Sequence, residues 1–460
     1  MLLFVWSWAG VAYASSGSGM GWLNEGKNAE KDRDDRRAST AYNRAAGFAD
    51  THEEAIVAEA RMLMRDGGPE QAFELLSKLV KEDSPFNVDA RLALVEVLHV
   101  QKKYDAAIQL ITSIEHLQPG NVPARAEKGL IFFDMKKADE AVAFLTKSLN
   151  DNPDASVIRI KRAQAYIQLG GYEKAIDDYE IVAKQRPEDT EIQMFLADAY
   201  FMSGKFQKAA DVYGKVTHFN STLSMAWEKC GDSLQKLNRL KDSQEFYKKA
   251  SELEPNRFEA GQKLANVYIQ IGLKPKAEDE YHRELSIDSG NDVATRGLVA
   301  LLEERHDVIG AGKYLRELTE FHPEKVWASL RYAKLLTDLG NIDYAERVAK
   351  ANIKAAGEPA ETLVVLAQIK CDQNKRADGF KILQEAEKKY PTDAGVKFTM
   401  ASFYAQDGKN AEAVGKYHEV EGDTMYGTQA REKIASIQLQ SGSDRIPAAL
   451  TAPVKSEDLH

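Results

Sequence analysis

Residues 156–189 read SVIRIKRAQAYIQLGGYEKAIDDYEIVAKQRPED. Two runs of apolar residues at helical spacing lie on either side of Gly170, and glycine tolerates the left-handed backbone conformation that ends many helices. Pro187 follows the second run, where its ring prevents the helix from continuing. The stretch therefore predicts two helices joined by a short turn, which is a helical hairpin.

The same pattern recurs along the chain with a period of 34 residues. Prolines mark the end of the unit at positions that differ by multiples of this period: Pro85, Pro119, Pro153, Pro187, Pro255, Pro323 and Pro391. The skipped positions hold Ser221, Ser289 and Gly357, which are also turn residues. Chance does not keep such a register over the whole chain, so the sequence predicts a repeat protein.

Residues of similar size align in columns when each unit is numbered from 54, 88, 122 and onward. The eighth column is small (Gly129, Ala163, Ala197, Gly231, Ala265, Ala333, Ala367, Ala401), and so is the twentieth (Ala107, Ala141, Ala175, Ala209, Ser243, Ala277, Ala311, Ala345, Ala413). Two further columns are aromatic (Tyr179, Tyr213, Tyr247, Tyr281, Tyr417; Phe132, Tyr166, Tyr200, Tyr268, Tyr404). Small side chains let paired helices approach closely, and the aromatic rings fill the space to the next helix. In the unit that begins at 360, Gly379 replaces the expected alanine, and we expect that layer to be soft because glycine within a helix costs roughly 1 kcal/mol.

The unit length and this pattern resemble the tetratricopeptide repeat (TPR), of which residues 156–189 are a near-ideal copy. The resemblance covers about residues 53–427, or about eleven units, the first of them one residue out of register. It implies an all-α fold, a right-handed α-solenoid of stacked helix-turn-helix units with an extended concave face. Residues 428–441 would then form a capping helix, and residues 442–460 a disordered tail.

The N-terminal region has the pattern of an exported protein. Residues 2–13 (LLFVWSWAGVAY) are almost wholly apolar, and Ala12-Tyr13-Ala14 fits a small-x-small cleavage site. The run is too short to span a bilayer, which takes about 20 apolar residues, so we expect a signal peptide over residues 1–14 and a periplasmic or extracellular protein. The alternative is an ordinary hydrophobic tail on a cytoplasmic protein, because no Lys or Arg precedes the run. Residues 15–52 are expected to begin as a linker, with Gly17, Gly19 and Gly21, and to continue as a charged segment (EKDRDDRR) that forms a helix of uncertain docking.

Composition and motifs favour binding over catalysis. The formal net charge of −10 argues against a general nucleic-acid binder. Cys230 and Cys371 are the only cysteines, and their separation of more than four units is too great for a disulfide. The sequence has no H-E-x-x-H, phosphate-binding loop or G-x-S-x-G motif. We therefore expect no enzyme activity, no cofactor and no metal site.

Partner-binding residues are predicted on the first helix of each unit. In TPR proteins the second, fifth, ninth, twelfth and thirteenth columns usually face the ligand. In the N-terminal half these columns are apolar with a few polar neighbours, which suits an amphipathic helix or an extended peptide. The predicted groove consists of Leu92, Glu96, Leu130, Phe133, Ile160, Gln164, Ile167, Gln168, Met194, Asp198, Phe201 and Met202. The alternative is that several of these side chains pack against the neighbouring first helix. In the C-terminal half the same columns are more charged, with Glu303, Glu304, Lys334, Asp338 and Asp372.

A second candidate surface is a basic ridge. It consists of Arg91, Arg125, Lys128, Arg159 and Arg162, which recur at the fourth column and one turn further on. Such a stripe suits a carboxylate, an acidic segment or an anionic polymer. The alternative is that the aliphatic stems of these side chains cover the helix interface. The clamp by which TPR co-chaperones hold a chaperone's C-terminal carboxylate is not expected, because the fifth column lacks lysine from Leu92 to Gln262.

These observations predict a protein-interaction scaffold or adaptor. The chain resembles exported bacterial TPR proteins of pilus and polysaccharide-export machines, which implies a role in assembling an envelope, secretion, pilus or export complex. The alternative is a regulatory or substrate-recruiting subunit of a separate enzyme, since TPR arrays commonly serve in that way too.

Overall fold

The computed structural model describes residues 18–82 and 87–443, which form 25 α-helices and no β-strand. The all-α repeat architecture predicted from the sequence is confirmed. The chain divides between Arg239 and Leu240 into two compact parts, here called the N-terminal unit and the C-terminal unit. The predicted signal peptide and residues 444–460 of the predicted tail lie outside the described residues.

The N-terminal unit contains thirteen helices. They are α1 (Gly19–Lys31), α2 (Asp35–Ala45), α3 (His52–Arg65), α4 (Pro69–Glu82), α5 (Val88–Val100), α6 (Tyr104–Leu117), α7 (Val122–Asp134), α8 (Ala138–Asp151), α9 (Ser156–Gln168), α10 (Tyr172–Gln185), α11 (Thr190–Met202), α12 (Phe206–Phe219) and α13 (Ser224–Lys236). Odd-numbered helices are the first helices of the repeats and even-numbered helices are the second. Consecutive helices within the unit pack against each other.

The C-terminal unit continues the same alternation. Its helices are α14 (Leu240–Leu253), α15 (Phe258–Gln270), α16 (Lys274–Ile287), α17 (Asp292–Glu304), α18 (Val308–Phe321), α19 (Val326–Asp338), α20 (Ile342–Ala356), α21 (Ala360–Asp372), α22 (Arg376–Lys389), α23 (Ala394–Gln406), α24 (Asn410–His418) and α25 (Gly427–Ser443). The last helix packs against α24 and buries Ala430, Ile434 and Ile437. Within the described residues, no helix combines the length and the apolar character that crossing a bilayer requires.

Each turn from a first to a second helix bends at one residue with a left-handed backbone. Gly170, Gly204, Gly272, Gly340 and Gly408 have φ values between 72° and 79°. Asn238, His306 and Asn374 replace glycine at this position, with φ between 57° and 63°. Lys102 and Lys136 adopt the same conformation (φ 58° and 63°), although the sequence pattern did not predict it. The repeat therefore imposes the turn even where the residue type does not favour it.

The small columns and the aromatic column that contains Tyr213 form the hydrophobic cores, as predicted. In the second aromatic column, Phe132, Tyr166 and Tyr404 are only half-buried. The alanines of the eighth and twentieth columns are fully buried in both units, and so are the rings of Tyr213, Tyr247 and Tyr417. Gly379 has a packing role at its position in the twentieth column, because a Cβ there would lie 2.6 Å from the carbonyl oxygen of Ala367. Helices α21 and α22 therefore approach more closely than an alanine would allow.

In the region 15–52 the helix expected for the charged segment is present, but the linker expected before it is wrong from residue 19 onward. Its described part forms α1 and α2, which pack against each other and then against α3. Gly26, Ala38 and Tyr42 are buried at the eighth, twentieth and aromatic columns of a unit that begins at 19. A Cβ on Gly26 would lie 2.4 Å from Cε1 of Tyr42, so the glycine is needed for close packing. This further repeat is hard to recognise in the sequence because it contains a charged run and lacks the terminal proline.

Candidate partner-binding surfaces

The predicted groove lies on the first helices α5, α7, α9 and α11 of the N-terminal unit. Helix α7 contacts both α5 and α9, so these three first helices form a row of adjacent helices. Most of its apolar side chains are half-buried: Leu130, Phe133, Ile160, Ile167, Met194 and Phe201. Leu92 is only 8% exposed, whereas Met202 is 52% exposed. Leu92 therefore packs inside the fold, and the others keep apolar surface that a partner can cover.

The polar groove residues differ in how far they are already engaged. Glu96 lies 3.5 Å from Arg61, and burial raises its pKa while the charge of Arg61 opposes that rise. Asp198 accepts hydrogen bonds from Tyr213 and from Lys229. Gln164 is half-buried and Gln168 is exposed. The amide groups are therefore more available to a partner than the carboxylates are.

One charged cluster on this face was missed by the sequence analysis. His99 on α5 contacts two carboxylates of α7, with Nδ1 2.6 Å from Oε1 of Glu127 and Nε2 2.9 Å from Oδ2 of Asp134. Burial alone would lower the pKa of His99, but the two carboxylates outweigh burial and raise it. His99 and Asp134 stand in the twelfth and thirteenth columns, which was the signal available in the sequence. The cluster joins neighbouring first helices through a shared positive charge.

The predicted basic ridge is largely neutralised within the chain. Arg159 and Arg162 both bind Asp178, at 3.1 Å and 2.7 Å, and Asp178 is only 2% exposed. Lys128 lies 2.9 Å from Glu115.

The two remaining members of the ridge are Arg125 and Arg91. Arg125 pairs with Asp151, and Arg91 donates to the hydroxyl of Ser113 at 3.1 Å. An acidic partner would have to compete with the intrachain carboxylates for most of the ridge. Binding there stays a prediction, and the geometry favours the alternative in which the ridge side chains cover helix interfaces.

A second surface lies on the first helices α17, α19 and α21 of the C-terminal unit. These helices line an open cavity of about 600 Å³. Its walls include the half-buried apolar side chains of Trp327, Leu330 and Val365 and the buried Ile369. The sequence pattern has charged residues in these columns and indicated a groove only in the N-terminal half. The pattern did not predict this cavity, because its apolar wall consists of only a few residues that stand among charged ones.

The indole of Trp327 is held in place by two neighbours. Its Nε1 donates a hydrogen bond to Asp292, and the guanidinium of Arg296 lies 3.7 Å from the ring centroid. Asp292 also accepts a hydrogen bond from Nε of Arg296 at 2.9 Å. Burial opposes ionisation of Asp292, but these hydrogen bonds outweigh it and lower its pKa. The ring is therefore a preformed wall of the cavity, and a ligand would not have to order it.

The charges around this cavity are unequally compensated. Arg331 binds Glu303, with Nε 2.9 Å from Oε1. Within residues 18–82 and 87–443, the side chains of Lys334, Asp338 and Asp372 have no ion pair or hydrogen bond. Burial first, and then the charge of Asp338, raise the pKa of Asp372. The cavity thus has an acidic end with two neighbouring carboxylates. The charge of Asp338 also helps to raise the pKa of Arg331, but that guanidinium is already bound to Glu303.

The cysteines and metal-ligand residues offer no further site in the described part of the chain. No group of three or more His, Cys, Asp or Glu side chains there is arranged to hold a metal ion. Cys230 is buried, and burial raises its pKa to about 12. Cys371 is half-buried, and both thiols are free.

Two family models match the chain. One, described as tetratricopeptide repeat, matches residues 57–122, and the other, described as the C-terminal ARM domain of tetratricopeptide repeat protein 21, matches residues 124–277. The two ranges extend from α3 to α16. No curated protein matches the chain.

Several solved structures are similar to the chain at low sequence identity. Naa15/Naa10 bound to HypK-THB has 16% identity and a TM-score of 0.43, with 86% of this chain and 67% of that chain covered. Yeast Tom70 has 14% identity and a TM-score of 0.38, with 93% and 97% covered. The C-terminal part of a TPR repeat-containing protein from Cytophaga hutchinsonii has 14% identity and a TM-score of 0.44, with 52% and 97% covered.

Proposed function

Since this chain is a tetratricopeptide repeat protein, we propose that the first-helix face of its N-terminal unit binds a peptide segment of a protein partner. TPR arrays serve as protein-interaction scaffolds and are typically not catalytic. The observation that carries the proposal is the row of half-buried apolar side chains on α7, α9 and α11, together with the exposed Met202. Covering such side chains gains about 25 cal/mol per Å² of apolar surface, which favours an apolar peptide face.

Variants of this face test the proposal. The tagged chain is purified from its native source, the co-purifying protein is identified, and Met202→Asp and Phe133→Ala are compared with the parent. Both variants should retain less partner, because Met202→Asp places a charge in an apolar contact and Phe133→Ala removes most of an apolar side chain. Ile309→Asp is the matched control, since Ile309 is 86% exposed on the second helix α18. Unchanged partner retention by both face variants would contradict the proposal.

We further propose that the protein is exported and helps to assemble an envelope, secretion, pilus or polysaccharide-export complex. This rests on the apolar run and the small-x-small site of residues 2–14. Cell fractionation with N-terminal sequencing tests it: a cytosolic chain that keeps residues 1–14 would contradict export. A stoichiometric enzyme among the co-purifying proteins would instead favour a regulatory or substrate-recruiting subunit.

A further inference from the structure

The cavity on α17, α19 and α21 has the features of a second peptide site with its own charge preference. Trp327, Leu330 and Val365 give it an apolar wall, and Asp338 and Asp372 give it an acidic end. All five side chains belong to the C-terminal unit. They are separate from the groove predicted on α5 to α11.

The charges decide the kind of occupant. The guanidinium groups of Arg296 and Arg331 already bind Asp292 and Glu303, so they do not attract an anion strongly. Asp338 and Asp372 lie close enough to repel each other, and a cation between them would relieve that repulsion. Lys334 is the one uncompensated cation among the described residues that line the cavity, and it is outnumbered.

We propose that this cavity binds a basic peptide segment of a partner protein, with an apolar side chain against Trp327, Leu330 and Val365 and a Lys or Arg side chain at Asp338 and Asp372. The inference rests on the proposed scaffold function and adds the chemistry of one partner segment. The preformed position of Trp327 supports it, because an ordered aromatic wall lowers the entropy cost of binding. An acidic segment would meet two unpaired carboxylates at the same place.

Random dodecapeptides displayed on phage are selected on the immobilised full chain and sequenced, in parallel with two charge variants. The test variant is Asp338→Asn/Asp372→Asn. The matched control is Glu317→Gln/Glu385→Gln, which removes two exposed charges from the second helices α18 and α22. Both variants change the net charge equally, so they separate a local contact from general attraction to an acidic protein.

The expected result is enrichment of peptides that combine an apolar residue with Lys or Arg on the parent and the control, and weaker enrichment of these peptides on the test variant. One enriched peptide, synthesised with a fluorescent label, should lose about two- to tenfold in affinity on the test variant, as for one or two exposed ion pairs. Lys334→Gln should bind the same peptide more tightly, because it removes a like charge. An acidic peptide would show the reverse order.

Three results would overturn the inference: enrichment of acidic or uncharged peptides, equal enrichment on the test variant, or no enrichment at all. None of them bears on the proposed scaffold function, which depends on a native partner and on residues of α7 and α11. Failure of that function would appear as unchanged partner retention by Met202→Asp and Phe133→Ala.

Discussion

Glu284 on α16 carries a fully buried carboxylate, and we predict that Glu284→Gln stabilises the surrounding helices at alkaline pH. The side chain is 0% exposed. Its Oε2 accepts a hydrogen bond from Nδ2 of Asn291 at 3.0 Å, but Oε1 has no hydrogen-bond partner within the described part of the chain. Glu280 lies nearby, and its own charge is bound by Arg283 with Nη2 2.6 Å from Oε1. Arg283, Asn291 and Gln262 favour the ionised form of Glu284, but burial and the charge of Glu280 outweigh them.

The size of the effect follows from the pKa. Burial first, and then the charge of Glu280, raise the pKa of Glu284 from 4.5 to about 7. A carboxyl group whose pKa is raised by folding destabilises the folded state as the pH rises from its unfolded pKa to its folded pKa. One pKa unit corresponds to about 1.4 kcal/mol, so the loss reaches about 3 kcal/mol above pH 7. Glutamine has a similar shape without the charge, so the variant should gain up to that amount at about pH 8 and little at about pH 4.

Hydrogen exchange of the backbone amides of α16 measures this locally, which matters because repeat arrays do not always unfold in one step. After correction for intrinsic rates, protection at about pH 8 should rise by up to about 100-fold in Glu284→Gln. The control is Glu317→Gln, on the exposed face of α18, which should match the parent at both pH values. Equal protection of α16 in the parent and in Glu284→Gln at alkaline pH would refute the reasoning.

Three further perturbations probe other parts of the chain. Gly26→Ala should destabilise the α1–α2 pair by about 1–3 kcal/mol, because its Cβ would overlap the fully buried ring of Tyr42; limited proteolysis of this pair measures the change. Asp178→Ala should lower the free energy of unfolding by about 3 kcal/mol, because it leaves two partly buried guanidinium groups unpaired. The exposed neighbour Asp177→Ala should change it by less than about 0.5 kcal/mol in the same urea titration. Since folding raises the pKa of His99, protonated His99 should stabilise the fold fully below pH 6.5, and this contribution should be lost as the pH rises through the raised value. His99→Gln should lack this pH dependence in thermal unfolding.

Each of these three has a result that would count against it. Unchanged proteolysis of Gly26→Ala would mean that Tyr42 can move aside. Equal effects of Asp178→Ala and Asp177→Ala would mean that the buried ion pairs contribute nothing. A parent protein whose melting temperature does not fall more steeply than that of His99→Gln above neutral pH would remove the role of the imidazolium.

The helix pairs and their cores could be predicted from the sequence because they depend on local periodicity and on side-chain size. Gly170 and Gly204 end their helices where expected, and Ala163 and Ala197 are buried where expected. Both properties follow from the spacing of residues within one unit. A period of 34 residues repeats that information, so a weak signal in one unit is supported by its neighbours.

The sequence was less informative about side chains that meet across helices. Arg159 stands in the same column as Arg125, and Arg162 lies one turn further on, but only the structure places Asp178 opposite both Arg159 and Arg162. A pairing of this kind depends on rotamers and on the distance between helices. The columns of the repeat carry no information about either. The packing of α1 against α2 as a further helix pair was missed for a different reason, because charged residues dominate the exposed side of that pair and obscure Gly26 and Tyr42.

Within each unit, the principal contacts join helices that are one or two places apart along the chain. A structural change in one helix pair therefore affects mainly the neighbouring helix pairs and has little effect on more distant ones. Such a molecule is poorly suited to relay a signal over a long distance. It is well suited to evolve one docking layer at a time, because an exchange of residues on α19 leaves the packing of α23 and α24 intact.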